Sequence, residues 1–154
     1  MTSSALILVA TIFLLGTAQV VRAGEDINVH QGWVAATEDD RARVFIEIDN
    51  EGSETVVLTR AESPRAKTVM IEAAPIKAGS NQPVAIPELP ISSGKTLAMD
   101  PDGIYLTLDA LDGPLVEGTL FEVVLTFSGY PPVAAEVLVE GPNAEEESHA
   151  GHNH

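Results

Sequence analysis

From residue 27 to residue 140, apolar and polar side chains alternate in short runs separated by glycine, proline, asparagine and aspartate. Alternation with a period of two is typical of β-strands that have one face in the core. The pattern predicts strands at Ile27 to Trp33, Arg43 to Ile48, Thr55 to Ala61, Thr68 to Ala73, Lys95 to Met99, Gly103 to Leu108, Leu120 to Thr126 and Val133 to Val139. We therefore expect an all-β fold, a Greek-key β-sandwich of about eight short antiparallel strands.

Turn residues mark the ends of the predicted strands. The segments at 49–52, 100–103 and 111–114 place glycine close to aspartate or asparagine, which suits tight turns. Residues 80–94 contain three prolines. Because proline cannot donate a backbone hydrogen bond to a neighbouring strand, we expect this segment to be a loop or an edge crossing between sheets.

The chain begins with an apolar run over residues 5–15, followed by small and polar residues. Val21 and Ala23 stand where a signal peptidase site has its small residues. The run is shorter than the ~20 residues of a membrane-spanning helix, so residues 1–23 are interpreted as a signal peptide rather than an uncleaved anchor. We expect a mature chain from about Gly24, periplasmic or otherwise exported, with no membrane span after cleavage.

Composition narrows the chemistry further. The chain is 45% hydrophobic and 5% aromatic, and it contains no cysteine. Any metal must therefore be bound by histidine, methionine or oxygen. The formal net charge of -15 disfavours nucleic acid as a partner. The length predicts one domain, residues 24–140, followed by a flexible acidic and histidine-rich tail, residues 141–154.

Catalytic motifs are missing from the sequence. It has no Gly-x-Ser-x-Gly elbow, no His-Glu-x-x-His and no phosphate loop, and no histidine stands between residues 31 and 148. The carboxylates are scattered through turns and predicted strands, without a recognisable acid–base pair. We expect a protein that is not an enzyme.

Three stretches carry a more specific pattern: VFIEIDNEGSETVVLTRAESPRA, GIYLTLDALDGPLVEGTLFEVVLTFSG and VAAEVLVEG. The characteristic residues are Asn50, Gly52, Ser63, Pro64, Ala66, Leu111, Pro114, Leu115, Gly118, Phe121, Leu125 and Phe127. Their order and spacing resemble the periplasmic copper chaperones of the PCu(A)C type, from about residue 27 to 139. The resemblance implies a cupredoxin-like β-sandwich that binds Cu(I) and delivers it to the CuA centre of cytochrome c oxidase. The implied partner is cytochrome c oxidase subunit II or another copper-assembly factor.

The copper ligands of that family are replaced in this chain. The family motif is His-x10-Met-x21-His-x-Met, and the strand patterns place Glu72, Pro83, Tyr105 and Thr107 at its four positions. These side chains suit a soft monovalent ion poorly, so we expect the Cu(I) site to be lost. Two alternatives remain for Met70, which shares a predicted strand face with Glu72. The pair could rebuild a metal site, or Met70 could be surface packing beside a solvated Glu72.

The tail contains three of the four histidines, His149, His152 and His154, next to Glu145–Glu147. Imidazole with carboxylate favours borderline divalent ions such as Cu(II), Zn(II) and Ni(II) over Cu(I). A solvated terminus without a specific role is the competing interpretation. The fourth histidine, His30, could approach the family site, although a lone histidine is more often structural or exposed. Met99 is predicted to lie in the core.

Two functional hypotheses follow from the sequence. The first is an exported copper-chaperone-like protein that has lost the usual Cu(I) site and binds metal through its tail. The second is a binding or assembly module without metal, in which the chaperone fold is a scaffold and the acidic surface docks a basic partner.

Overall fold

The computed structural model describes residues 26–150, with the backbone alone at residues 149 and 150. Within this range the chain forms twelve strands and one short helix. They are β1 (Ile27–Val29), β2 (Gly32–Ala35), β3 (Arg41–Phe45), β4 (Glu47–Asn50), β5 (Val56–Glu62), β6 (Ala66–Ala73), β7 (Val84–Ala85), β8 (Leu89–Ile91), β9 (Thr96–Ala98), β10 (Ile104–Leu111), β11 (Leu120–Phe127), β12 (Val133–Glu140) and α1 (Ala144–Ala150). The predicted all-β class is confirmed. The predicted signal peptide, residues 1–23, lies outside the described residues.

The strands form two hydrogen-bonded sheets. One has the order β7-β6-β10-β3-β2-β12-β11-β5-β8, and the other has the order β1-β4-β9. Neighbouring strands are antiparallel except for β2 and β12, which run parallel with Trp33 opposite Leu138. This pair departs from the antiparallel arrangement that we expected. A parallel pair requires a long connection, and here almost the whole domain lies between the two strands.

Two predicted strands are each divided where the chain passes from one sheet to the other. The first becomes β1 and β2, and the second becomes β3 and β4, with Ile46 at the break. At this corner the two segments approach closely, because a Cβ atom on Gly32 would lie 2.7 Å from Cγ1 of Ile46. Glycine is therefore required where the strands change sheet.

The proline-rich segment supplies both edge strands of the larger sheet. β7 pairs with β6 at one edge, and β8 pairs with β5 at the other, where Pro90 lies opposite Val57. The segment therefore crosses from edge to edge, although within one curled sheet rather than between two. Edge positions tolerate proline because one side of an edge strand has no hydrogen-bonding neighbour.

The core lies inside the curled sheet and against the smaller one. Its largest fully buried side chains are Phe45, Phe127, Ile46, Ile48, Leu58, Leu106, Leu108, Leu115 and Leu125. Met99 is also buried, as predicted. Trp33 packs on Phe45 with ring centroids 4.5 Å apart, so the parallel pair is linked to this core.

Two of the motifs behind the family resemblance hold the scaffold together. Asn50 is buried, and its Nδ2 donates hydrogen bonds to the carbonyl oxygens of Glu54 at 2.7 Å and Ile91 at 2.8 Å. Ser63 Oγ donates to the carbonyl oxygen of Glu122 at 2.8 Å. These residues fix loops to neighbouring strands, so the resemblance at these positions reflects the fold and not the ligand site.

The helix α1 differs from the flexible tail that we expected after residue 140. Ala144 is buried, and Glu145–Glu147 lie in the first turn, where negative charge is favourable to the helix dipole. Glu145 also forms an ion pair with Arg43 in β3. Residues 144–150 are therefore ordered by docking on the sheet. No helix in the described range 26–150 is long and apolar enough to cross a membrane.

Candidate functional site

The four positions assigned to the family's copper ligands lie together in the structure. Glu72 in β6 is directly opposite Tyr105 in β10, and Met70 is opposite Thr107. Cross-strand partners point to the same face of a sheet, so these side chains form one group. Pro83, just before β7, lines the same cleft as Glu72, Tyr105 and Thr107. Whether these positions correspond to the family's copper ligands stays a prediction.

The cleft has a volume of about 650 Å³ and lies between β2, β3, β6, β10 and the start of α1. Its charged lining residues are Asp39, Asp40, Arg41, Arg43, Glu72, Glu145 and Glu146. Carboxylates therefore outnumber guanidinium groups. The lining of the cleft therefore carries a net negative charge, although two arginines contribute to it.

Glu72 and Thr107 are almost inaccessible to solvent, with 2% and 3% of their surface exposed. Within the described residues, Glu72 Oε2 and Thr107 Oγ1 have no hydrogen-bond partner. Arg41 Nη2 lies 3.8 Å from Glu72 Oε1, which is close enough for an ion pair but too long for a hydrogen bond. The interpretation of Glu72 as a solvated side chain is wrong, because Glu72 is buried at the wall of the cleft beneath residues from other elements. Met70 is 40% exposed, in agreement with surface packing.

Of the two arginines that line the cleft, Arg43 makes the closer contacts. It donates hydrogen bonds to Glu145 and to the carbonyl oxygen of Pro101 at 3.3 Å, and its guanidinium carbon lies 4.9 Å from the ring centroid of Tyr105. Burial lowers the pKa of Arg43, but the hydrogen bond and charge of Glu145, together with Tyr105, raise the pKa above its ordinary value. Arg43 is therefore a charged structural link between β3 and α1.

The donor set of the cleft does not suit Cu(I). Among the described residues that line it, none is histidine or methionine, the side chains that a soft monovalent ion prefers in a chain without cysteine. Met70 lines a neighbouring cleft of about 400 Å³ that shares Arg41, Glu72 and Pro83 with the first. A Met70–Glu72 site would combine one soft and one hard ligand beside a positive charge.

A group of three side chains with the geometry to hold a metal ion lies on the smaller sheet. Glu47 and Asp49 are alternate residues of β4 and point to the same face, and His30 follows β1, which pairs with β4. His30 Nε2 lies 2.6 Å from Asp49 Oδ2 and 3.7 Å from Glu47 Oε1. All three ligand atoms lie within 4.8 Å of one another. Thr96 Oγ1 donates to Asp49 Oδ1 at 2.5 Å and orients that carboxylate.

The contact between His30 and Asp49 is strongest when both groups are charged. The hydrogen bond to Asp49 raises the pKa of His30 above its ordinary 6.5, and the nearby carboxylates act in the same direction. The same hydrogen bond, with a second one from Thr96, lowers the pKa of Asp49 below its ordinary 3.8. A divalent ion at this position would replace the proton on His30 Nε2.

From the sequence, His30 was a lone histidine that could approach the family site but was more often expected to be structural or exposed. The alternation of Glu47 and Asp49 around a buried Ile48 was visible, but the pairing of β1 with β4 was not. Among the predicted tail ligands, His149 lies in the last turn of α1, where the structure describes the backbone alone. His152 and His154 lie outside the described residues.

Comparisons with known proteins agree with this architecture. The sequence model of a family named "Putative lipoprotein LpqE-like" matches residues 27–139. "Putative lipoprotein Lxx21020" of Leifsonia xyli subsp. xyli (strain CTCB07) is 29% identical over 119 residues, covering 75% of this chain and 72% of that protein.

Solved structures share the fold. "Copper-bound PCuAC domain from PmoF2" has a TM-score of 0.66 and 18% identity, covering 76% of this chain and 94% of that chain. "Solution structure of CuI-DR1885 from Deinococcus Radiodurans" has a TM-score of 0.62 and 20% identity, covering 77% of this chain and 82% of that chain. The expected PCuAC-type, cupredoxin-like β fold is thereby confirmed. With a match over residues 27–139, the chain belongs to the LpqE-like family.

Proposed function

We propose that this protein is an exported copper-handling protein that binds Cu(II), or another borderline divalent ion, in preference to Cu(I). The fold is shared with domains that are named as copper-bound, which supports a role with copper. The Cu(I) position of the fold is lost in this proposal, because Glu72, Pro83, Tyr105 and Thr107 supply no soft ligand.

The observation that carries the proposal is the convergence of His30, Glu47 and Asp49. One imidazole and two carboxylates, with ligand atoms within 4.8 Å, form a donor set that suits Cu(II), Zn(II) and Ni(II). Cu(II) binds most tightly to such sets among the common divalent ions. The hydrogen bond from Thr96 orients Asp49 as an outer residue orients a ligand in metal sites.

The tail histidines His149, His152 and His154 add a second, weaker contribution in this proposal. They are separated by only a few residues and belong to an acidic segment, so they can share one ion once ordered. Ordering that segment reduces the affinity, since its conformational entropy is lost on binding. The tail would therefore bind metal with low affinity.

Export and delivery complete the proposal. Residues 1–23 act as a signal peptide, and the name of the relative from Leifsonia, a putative lipoprotein, is consistent with export to the periplasm or another external compartment. The partner would be cytochrome c oxidase subunit II or another copper-assembly factor. The role is binding and transfer, without catalysis.

The decisive experiment is a titration of the metal-free mature protein, residues 24–154, with Cu(II) and separately with Cu(I) against a competing chelator. Three variants are compared with the unchanged protein: His30→Ala, Gln31→Ala, and a triple variant with alanine at His149, His152 and His154. We expect His30→Ala to weaken Cu(II) binding by about tenfold or more. Gln31→Ala, an exposed neighbour, should leave it unchanged.

Substitution of the tail histidines is preferable to truncation at Pro142, because truncation would also remove α1. A moderate loss of Cu(II) binding in the triple variant would measure the tail's share. Unchanged Cu(II) affinity in both the His30 and the tail variants would contradict the proposal. So would tight Cu(I) binding that disappears on Met70→Leu.

A second candidate function is a binding or assembly module that uses no metal. The two unpaired buried oxygens of Glu72 and Thr107, at the wall of an acidic cleft, favour it. In this case the cleft itself would be the functional site.

A further inference from the structure

The cleft lined by β2, β3, β6, β10 and α1 contains two polar atoms that make no hydrogen bond within the described residues and do not belong to the group of His30, Glu47 and Asp49. Glu72 Oε2 and Thr107 Oγ1 are buried and lack partners among the described residues. An unpaired buried polar atom costs about 1–3 kcal/mol, and a charged one costs more. Native proteins retain few such atoms, and a ligand or ion is one of the usual reasons.

The charge of the cleft indicates the sign of the ligand. Five carboxylates line it against two guanidinium groups, and one of these, Arg43, is already bound to Glu145 and the carbonyl oxygen of Pro101. The other, Arg41, is shared at 3.8 Å and 4.0 Å between Glu72 and Asp109. A cation would be attracted to the remaining negative charge.

The two unpaired atoms indicate the kind of cation. A carboxylate oxygen accepts hydrogen bonds, and a threonine hydroxyl can accept one as well, so the complementary group is a donor. An ammonium group has three donors on one compact charge. A hard divalent metal ion would prefer several charged oxygens, whereas this site offers one buried carboxylate. Apolar lining from Val34, Ala42 and Pro142 suits methylene groups beside the charge.

We propose that this cleft binds a primary ammonium group on an alkyl chain. The N–H groups of the ammonium donate hydrogen bonds to Glu72 Oε2 and Thr107 Oγ1. The ammonium comes from a free small amine or from a lysine side chain of a partner, which share this chemistry. The inference extends the second candidate function and does not depend on metal binding at His30.

Glu72 Oε2 and Thr107 Oγ1 are inaccessible to solvent, so a ligand reaches them only if a neighbouring side chain moves. Arg41 is the residue that can do so, because its side chain is 54% exposed and forms no hydrogen bond at its distances from Glu72 and Asp109. Arg41, Glu72 and Pro83 line both this cleft and the neighbouring one, so they separate the two. The incoming ammonium replaces the loose ion pair of Arg41 with direct hydrogen bonds to Glu72.

The test is an NMR titration of the metal-free mature protein, residues 24–154, at pH 7 in a buffer without amines. The probes are 1,5-diaminopentane, its uncharged analogue 1,5-pentanediol, a blocked Gly-Lys-Gly peptide, and the same peptide with acetylated lysine. We expect saturable changes in the amide chemical shifts of β6 and β10 with the two probes that carry an ammonium group, the diamine and the unmodified lysine peptide. The diol and the acetylated peptide should cause none. Saturation by the diamine alone assigns a free small amine, and saturation by the peptide alone assigns a partner's lysine.

Glu72→Gln and Thr107→Val provide the residue-level test, with Glu122→Gln as a matched control on an exposed strand position. Glu72→Gln should weaken ammonium binding about tenfold or more, because a charged acceptor is lost. Thr107→Val should weaken it severalfold. Both variants should keep or raise the free energy of unfolding, since Glu72→Gln removes a buried charge and Thr107→Val removes the unpaired hydroxyl. A structural role alone would lower that free energy and leave binding intact.

The proposal is overturned if no ammonium probe shifts β6 or β10 amides saturably, or if both cleft variants bind the probes as tightly as the unchanged protein. Cu(II) titration of Glu72→Gln separates this result from the metal hypothesis. That variant should retain full Cu(II) affinity, since His30, Glu47 and Asp49 lie on the other sheet.

Discussion

Arg43 in β3 donates a hydrogen bond to Glu145 in α1, joining residues that are 102 positions apart in the sequence. The helix has seven residues, which is too short to be stable alone in water. Its order therefore depends on docking, through this ion pair and the buried side chain of Ala144. Because Glu145 and Arg43 both line the acidic cleft, the same contact defines one wall of the candidate site.

Removing this ion pair should release the helix without unfolding the domain. For Glu145→Ala we expect the amides of α1 to exchange with solvent about fivefold to tenfold faster, since a partly exposed pair contributes about 1 kcal/mol. The global free energy of unfolding should change by less than about 1 kcal/mol. Hydrogen exchange measured by NMR gives both the exchange rates of the α1 amides and the global free energy of unfolding. Glu146→Ala, in the same turn and exposed, is the control, and equal exchange in the two variants would refute the role of Glu145.

The pair of His30 and Asp49 predicts a stability that depends on pH. The raised pKa of His30 stabilises the fold fully below about pH 6.5, and this contribution is lost as the pH rises through the higher folded value. The lowered pKa of Asp49 stabilises it fully above about pH 3.8, and this is lost as the pH falls through the folded value. The contribution is therefore greatest between these two values.

Thermal denaturation from pH 3 to pH 9, in chelator-treated buffer, measures this effect as the difference in Tm between the unchanged protein and His30→Gln. We expect a positive difference near pH 5 that shrinks towards both ends. Gln31→Ala serves as the control because Gln31 is exposed and hydrogen-bonded to Glu136, away from Asp49. A difference that does not vary with pH would show that His30 and Asp49 are not coupled.

Asn50 should be one of the most sensitive positions of the scaffold. In Asn50→Ala, the carbonyl oxygens of Glu54 and Ile91 lose their donor, and we expect the free energy of unfolding to fall by about 2–3 kcal/mol. Urea denaturation followed by circular dichroism gives this value. Asn28→Ala, on an exposed position of β1, should cost less than about 0.5 kcal/mol. Similar costs at the two positions would show that the buried amide is not a key contact.

Gly32 should resist substitution because of its contact with the sheet corner. An added methyl group would lie 2.7 Å from Ile46 Cγ1 and 3.0 Å from the carbonyl oxygen of Phe45. We expect Gly32→Ala to destabilise the protein by about 1–3 kcal/mol, measured by urea denaturation. Gly113→Ala has no atom within 4 Å of the new methyl group and is the matched control. A neutral Gly32→Ala would mean that the corner can relax.

The strand β11 could be predicted because an apolar residue recurs at every second position, at Phe121, Val123, Leu125 and Phe127. The predicted strand from Leu120 to Thr126 differs from β11 by one residue. By contrast, the alternation is interrupted only briefly at residues 30–31, which are both polar, and at residues 44–46, which are all apolar. Such short interruptions do not show that the chain changes sheet there. Helix α1 was missed because its order comes from Arg43, a residue distant in sequence, rather than from an apolar repeat of its own.

The candidate site was predictable only in part for similar reasons. The spacing assigned Glu72, Pro83, Tyr105 and Thr107 to the family's ligand positions, and the structure places these four residues around one cleft. That they correspond to the family's copper ligands stays a prediction. The burial of Glu72 was not predictable, because a charged residue in an alternating strand is normally exposed. The group around His30 depends on the register between β1 and β4, for which the sequence has no local signal.

The position of β12 has a consequence for how the protein is made. In the larger sheet, β12 lies between β2 and β11, and it hydrogen-bonds the first part of the domain to the last. Until residues 133–140 have been synthesised, the two halves of that sheet cannot join. The nascent chain should therefore be unable to complete the larger sheet until its last strand has been synthesised, so that folding follows translation rather than accompanying it.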